Sequence, residues 1–73
     1  MAQTMQCPHG IVDSDERDGI YQPEIRQKCG TPNVERPTLW RYQRETFIYT
    51  LSFEDDGELI SIEQEPVEEE REP

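Results

Sequence analysis

The sequence predicts a small α+β protein: an antiparallel β-sheet built on a C-terminal hairpin, with one short helix and a disordered acidic tail. Three observations predict this class. Apolar and polar residues alternate over residues 47–53, the segment QPEIRQKCG at 22–30 carries helix signals, and residues 63–73 contain six glutamates. Alternation with a period of two is typical of a half-buried strand. An acidic segment with few apolar side chains cannot offset its ordering entropy by burial.

The C-terminal hairpin is predicted by two signals that agree. Asp56-Gly57 is a favoured two-residue loop between two runs of strand-forming residues. With that loop, Phe53 faces Ile60 and Leu51 faces Ile62, so both pairs lie on one apolar face. A register slipped by one residue would spoil this match, because it moves the side chains of one strand to the other face.

The helix is predicted over residues 22–29. Pro23 suits a first helical turn, where its missing N–H costs nothing, and Glu24 lies near the positive end of the helix dipole. Lys28 lies near the negative end, and Gly30 is a typical stop signal.

The other segments give weaker signals. Residues 1–10 are polar and expected to be flexible, with a short edge strand around Ile11 and Val12. Two prolines in residues 30–38 predict an irregular connector. Residues 39–45 fit both a strand and a helical face, and their aromatic content favours a strand.

Length and charge bound the organisation of the chain. Its 73 residues allow one domain, predicted at 1–62, followed by the acidic tail at 63–73. The chain has 17 acidic residues against 7 Lys and Arg, a net charge of −10. Direct binding to nucleic acid needs basic groups on phosphates and is therefore not expected. The charge favours a basic protein surface as the partner, and simple solubility is the alternative interpretation.

No secretory signal or membrane-length apolar run is visible, so the sequence predicts a soluble intracellular protein. A monomer is also expected. In a reducing cytosol Cys7 and Cys29 are expected to remain thiols. Together with His9 they are weak candidates for a zinc site, which wants four ligands; a carboxylate such as Asp13 would have to supply the fourth. No metal or cofactor is therefore predicted.

Catalysis is not expected either. A Cys-His pair would lie in acidic surroundings that disfavour the thiolate, and Asp55 and Asp56 would need a pocket that so short a chain can hardly build. Phosphate-binding loops and nucleophile motifs are missing from the sequence.

Candidate partner-binding residues fall into two groups. Aromatic and arginine side chains are favoured anchors at protein interfaces, whereas carboxylates can meet basic groups of a partner. The candidates are Trp40, Arg41 and Tyr42 as anchors, and Glu54, Asp55, Asp56 and Glu58 as acidic contacts. Burial of Trp40 in the small core is the competing interpretation.

The chain as a whole, with the hairpin and glutamate-rich end TFIYTLSFEDDGELISIEQEPVEEEREP, resembles the small host RNA polymerase inhibitors of lytic Xanthomonas phages. The resemblance implies binding to the N-terminal region of the polymerase β′ subunit, exclusion of the σ factor and blocked initiation, with antitermination as a further activity. It assigns no site residues. The alternatives are an acidic DNA mimic that inhibits another DNA-binding protein, and a small zinc-binding structural module.

Overall fold

The computed structural model describes residues 4–15 and 19–67, which form one helix and six strands in two antiparallel sheets. The elements are β1 (Thr4–Cys7), β2 (Gly10–Asp13), α1 (Gln22–Cys29), β3 (Val34–Arg36), β4 (Leu39–Gln43), β5 (Phe47–Phe53) and β6 (Leu59–Pro66). β1 and β2 form a two-stranded hairpin, and the other strands form a sheet in the order β3-β4-β5-β6. The small α+β class predicted from the sequence is confirmed.

The β5–β6 hairpin is confirmed, and one of its two predicted residue pairs is correct. Leu51 pairs with Ile62, but Phe53 pairs with Leu59 because the register shifts between Ser52 and Phe53. This bulge leaves Ile60 51% exposed and buries Leu59 in its place. The predicted Phe53–Ile60 pair is therefore wrong, since an extra residue in one strand changes which side chain faces the core.

The loop of this hairpin has three residues, 55–57, rather than the two predicted. The Glu54 N–H donates to the Glu58 carbonyl at 2.8 Å, and the Gly57 N–H donates to the Glu54 carbonyl at 2.9 Å. Gly57 has a φ of +94°. A three-residue loop commonly ends with a positive φ, which glycine adopts without a steric penalty.

β6 continues beyond the predicted domain boundary at residue 62. Thr50 pairs with Glu63 and Ile48 with Glu65, so residues 63–66 are part of the sheet and not of a disordered tail. Backbone pairing with a seven-residue β5 does not require apolar side chains on β6. Residues 68–73, the rest of the predicted tail, lie outside the described residues.

The N-terminal segment is a strand where flexibility was predicted. β1 covers residues 4–7 and pairs with β2, which confirms the short strand at Ile11 and Val12. Met5 and Val12 are paired and fully buried. This single apolar pair anchors an otherwise polar hairpin to the core, and it offsets the low apolar content on which the prediction rested.

The helix prediction is confirmed, and the connector prediction is wrong in part. α1 has Pro23 in its first turn and ends at Gly30, whose N–H donates to the Arg26 carbonyl at 2.8 Å. Residues 34–36 form β3, a strand short enough to fit between Pro32 and Pro37. The segment at 39–43 is strand β4, as favoured from its aromatic content.

The core lies on one face of the four-stranded sheet, between that sheet, α1 and the β1–β2 hairpin. Trp40 packs edge-on against Phe53, with ring centroids 5.0 Å apart, and α1 contributes Ile25. The buried apolar residues are Met5, Val12, Ile20, Ile25, Trp40, Tyr42, Leu51, Phe53, Leu59 and Ile62.

Cys7 and Cys29 form a disulfide, with their Cα atoms 4.8 Å apart, where the sequence predicted two thiols. The pair forms because β1 and β2 place Cys7 beside the end of α1. The His9 N–H donates to the Lys28 carbonyl, and Lys28 Nζ donates to the Ile11 carbonyl, both at 3.1 Å. The disulfide therefore joins the N-terminal hairpin to the helix.

Candidate functional site

The acidic candidates of the sequence lie together at one end of the molecule, in and beside the β5–β6 loop. We call Glu54, Asp55, Asp56 and Glu58 the acidic tip. The first three are exposed and Glu58 is half-buried. Four carboxylates within five residues of a tight hairpin produce a local negative potential that falls off within about 10 Å at moderate salt.

Backbone hydrogen bonds join the acidic tip to the segment at the start of α1. The Gln22 N–H donates to the Gly57 carbonyl at 3.1 Å, and the Leu59 N–H donates to the Ile20 carbonyl at 2.8 Å. Within the loop, Asp56 Oδ1 accepts a hydrogen bond from the Glu58 N–H at 3.0 Å. These bonds tie the backbone of the loop to the neighbouring segment and to itself.

Tyr21 is an exposed aromatic residue at the acidic tip that sequence reasoning missed. It forms an isolated antiparallel bridge with Glu58, and its side chain is 42% exposed. The negative charge of Glu58, then that of Asp56, and finally burial raise the pKa of the Tyr21 phenol above its ordinary value of 10.0. The phenol therefore stays protonated at neutral pH and can donate a hydrogen bond beside the carboxylates. Its position depends on a contact between residues 37 apart in the sequence, which no local pattern signals.

The carboxylates of the acidic tip form no ion pair within residues 4–15 and 19–67. The ion pairs in that part of the chain join Arg26 to Glu35 and Lys28 to Glu24. Within this part of the chain, no cationic side chain neutralises the negative charge of the acidic tip, which can therefore attract cationic groups of another molecule.

Trp40 and Tyr42 are not surface anchors, contrary to one interpretation of the sequence. They are 2% and 1% exposed, and the Tyr42 hydroxyl donates to the Gly30 carbonyl at 2.7 Å. Arg26 lies over the Trp40 ring at 4.9 Å and covers it from solvent. The competing interpretation, that Trp40 completes the core, is confirmed.

Arg41 is exposed but lies apart from the acidic tip. It pairs with Thr50 in the middle of β5 and lines a shallow cavity with residues of the β3–β4 hairpin. The predicted site therefore separates into a buried aromatic pair, an arginine on the sheet and four acids at the loop.

A metal site does not form among the described residues, where no group of three or more potential ligands comes together. The sulfur atoms of Cys7 and Cys29 are bonded to each other and cannot act as thiolate ligands in this form. His9 lies exposed in the turn between β1 and β2. In the described ranges, no helix has the length and apolar character needed to cross a membrane.

Comparison of the chain with protein-family models, with curated proteins and with solved structures found no match. Fold and site together define a small disulfide-linked α+β protein with an acidic hairpin tip.

Proposed function

We propose that this chain is a non-enzymatic protein-binding module whose acidic tip docks on a basic surface of a nucleic-acid-handling enzyme. The observation that carries the proposal is a group of four carboxylates that form no ion pair within residues 4–15 and 19–67. They lie on a hydrogen-bonded loop beside the exposed ring of Tyr21. Enzymes that handle nucleic acid expose basic surfaces, and complementary potentials favour encounter with them.

The partner we propose is bacterial RNA polymerase, at the N-terminal region of its β′ subunit. This choice rests on the resemblance of the sequence to phage-encoded polymerase inhibitors. The module would act as a phage protein in the host bacterial cytoplasm, exclude σ, inhibit initiation and promote antitermination. The cytosol keeps most cysteines reduced, so the Cys7–Cys29 disulfide would be exposed to reduction there. The acidic tip contains neither cysteine, and the backbone bonds that join it to the start of α1 do not depend on the disulfide.

Tyr21 supplies the apolar contact that charge alone lacks. Exposed ion pairs contribute little to affinity, because solvent and salt screen them. An aromatic ring with a protonated hydroxyl can bury apolar area and donate a hydrogen bond to the partner. We therefore expect Tyr21, and not Trp40, to be the aromatic anchor.

The experiment measures binding of the full chain to purified bacterial core RNA polymerase by calorimetry. A tip variant combines Glu54→Gln, Asp55→Asn, Asp56→Asn and Glu58→Gln. A control variant removes the same number of charges elsewhere through Asp15→Asn, Glu45→Gln, Glu68→Gln and Glu69→Gln. We expect the tip variant to bind at least about tenfold more weakly and the control to change by less than about threefold, because nearby charges dominate a screened interaction.

Two outcomes contradict the proposal. Equal losses in both variants would mean that total charge and not the acidic tip is recognised. Failure of the wild-type chain to bind polymerase would also contradict the proposal. Retention of a nuclease or histone-like protein from bacterial lysate by the tagged chain would then favour the DNA-mimic alternative. If polymerase binds, transcription assays with increasing σ test exclusion, since competition requires that excess σ restore initiation.

A further inference from the structure

We propose that the outer edge of β6 binds an extended basic segment of another protein, which adds a fifth strand to the sheet. The sheet order leaves β3 and β6 as its two edge strands. An edge strand presents unpaired backbone N–H and C=O groups, and extended peptides can pair with them. This inference uses β6 and not the acidic tip, so it does not rest on the proposed function.

The edge formed by β3 is short, and α1 contacts this strand and the turn that follows it. β3 has three residues. Arg26 of α1 forms an ion pair with Glu35, and Gln22 Nε2 donates to the Pro37 carbonyl at 3.0 Å. A strand of only three residues leaves little backbone for an added strand.

The beginning of the β6 edge is occupied by the chain itself. The Leu59 N–H donates to the Ile20 carbonyl, and Tyr21 forms a bridge with Glu58. Past this point, no residue within 4–15 and 19–67 pairs with the edge of β6 that faces away from β5.

The register shows which β6 groups face outward. The Phe53 N–H donates to the Thr38 carbonyl, on the side of β5 that faces β4. The backbone groups of successive strand residues point to opposite sides, so those of Ser52 and Thr50 point toward β6. Their partners Ser61 and Glu63 therefore bond to β5. The intervening residue Ile62 and the equivalent Gln64 direct their backbone groups to the open edge.

The side chains of β6 define the chemistry of the partner. Glu63 and Glu65 are exposed and project from the same face, because they are two residues apart in a strand. Opposite charges in cross-strand positions stabilise pairing, and like charges oppose it. A segment with Lys or Arg at alternate positions therefore fits. A second copy of this chain fits poorly, since each copy carries a net charge of −10.

The test uses the full chain labelled with nitrogen-15 and the probe peptide acetyl-Lys-Val-Lys-Val-Lys-amide, followed by NMR. We expect shifted amide resonances and slower amide exchange at Ile62 and Gln64. A control peptide with both valine nitrogens methylated keeps the charge but loses the two donors that face β6. It should bind at least about tenfold more weakly, because each lost backbone bond weakens pairing several-fold.

Two protein variants separate pairing from charge. Gln64→Pro removes an outward N–H without removing a bond to β5, which is where proline is tolerated in a sheet, and should abolish exchange protection at Ile62. Glu63→Gln with Glu65→Gln should weaken binding and reduce its salt dependence. Equal affinity of the methylated and unmethylated peptides would overturn the proposal in favour of charge attraction alone. Peptide shifts confined to the acidic tip, or self-association through β6 without peptide, would also overturn it.

Discussion

At the scale of single residues, Tyr42 combines packing with a buried polar contact. Its side chain is 1% exposed, and its hydroxyl donates to the Gly30 carbonyl at the end of α1. Burial raises the pKa of the Tyr42 phenol above its ordinary value of 10.0; Arg26 and Arg44 oppose this shift and Glu35 adds to it. The unfolded chain therefore ionises first. The stabilising contribution of the neutral phenol is fully present below pH 10 and is lost as the pH rises through the folded-state pKa.

Tyr42→Phe should lower the free energy of unfolding by about 1 kcal/mol at pH 7, because it leaves the Gly30 carbonyl without this donor. The same variant should lose less stability than wild type above pH 10, since it has no phenol to ionise there. Urea unfolding at pH 7 and pH 10.5 measures both effects. Tyr49→Phe is the matched control, because Tyr49 is partly buried and its hydroxyl bonds to none of the described residues. Equal losses in both variants would contradict the role of the Tyr42 hydroxyl.

At the scale of elements, the disulfide determines how firmly the β1–β2 hairpin is held. The four-stranded sheet is continuous without it, whereas the hairpin joins the rest of the fold through the buried pair Met5 and Val12 and through contacts with α1. The cross-link closes a loop between cysteines 22 residues apart. By the loop-entropy account, such a link stabilises the fold by about 3 kcal/mol.

Reduction should therefore lower the free energy of unfolding by about 3 kcal/mol and loosen β1 and β2 before the main sheet. Urea unfolding with and without reductant gives the loss, and amide exchange shows its location. A Cys7→Ser, Cys29→Ser variant should match the reduced protein and not respond to reductant. Exchange that rises equally in β5 and in β1 after reduction would contradict this division of stability.

At the scale of the whole molecule, a net charge of −10 on 73 residues produces self-repulsion in the folded state. Raising NaCl from about 0.01 M to about 0.15 M shortens the screening length from about 30 Å to about 8 Å, and should stabilise the fold by on the order of 1 kcal/mol. Urea unfolding across this range measures the gain. The tip variant described above should gain less, because four of its charges are already removed. A gain that is unchanged in that variant would mean that the acidic tip contributes little to the repulsion.

The sequence by itself determined the α+β class, the helix at 22–29 and the Leu51–Ile62 pair of the hairpin, and it favoured the strand at 39–43 without excluding a helix. These features depend on proline and glycine positions and on alternation, which act between near neighbours. The four acidic residues of the tip were also predicted as a group, because they adjoin a predicted turn.

Tertiary structure alone decided the features that join distant parts of the chain. The Cys7–Cys29 disulfide requires β1 to lie beside the end of α1, and the place of Tyr21 at the acidic tip requires its bridge to Glu58. Burial of Trp40 depends on what packs above the sheet, since alternation shows which side chains share a face but not which face is covered. Ordering of residues 63–66 depends on backbone bonds from β5, which the polar composition of that segment does not reveal.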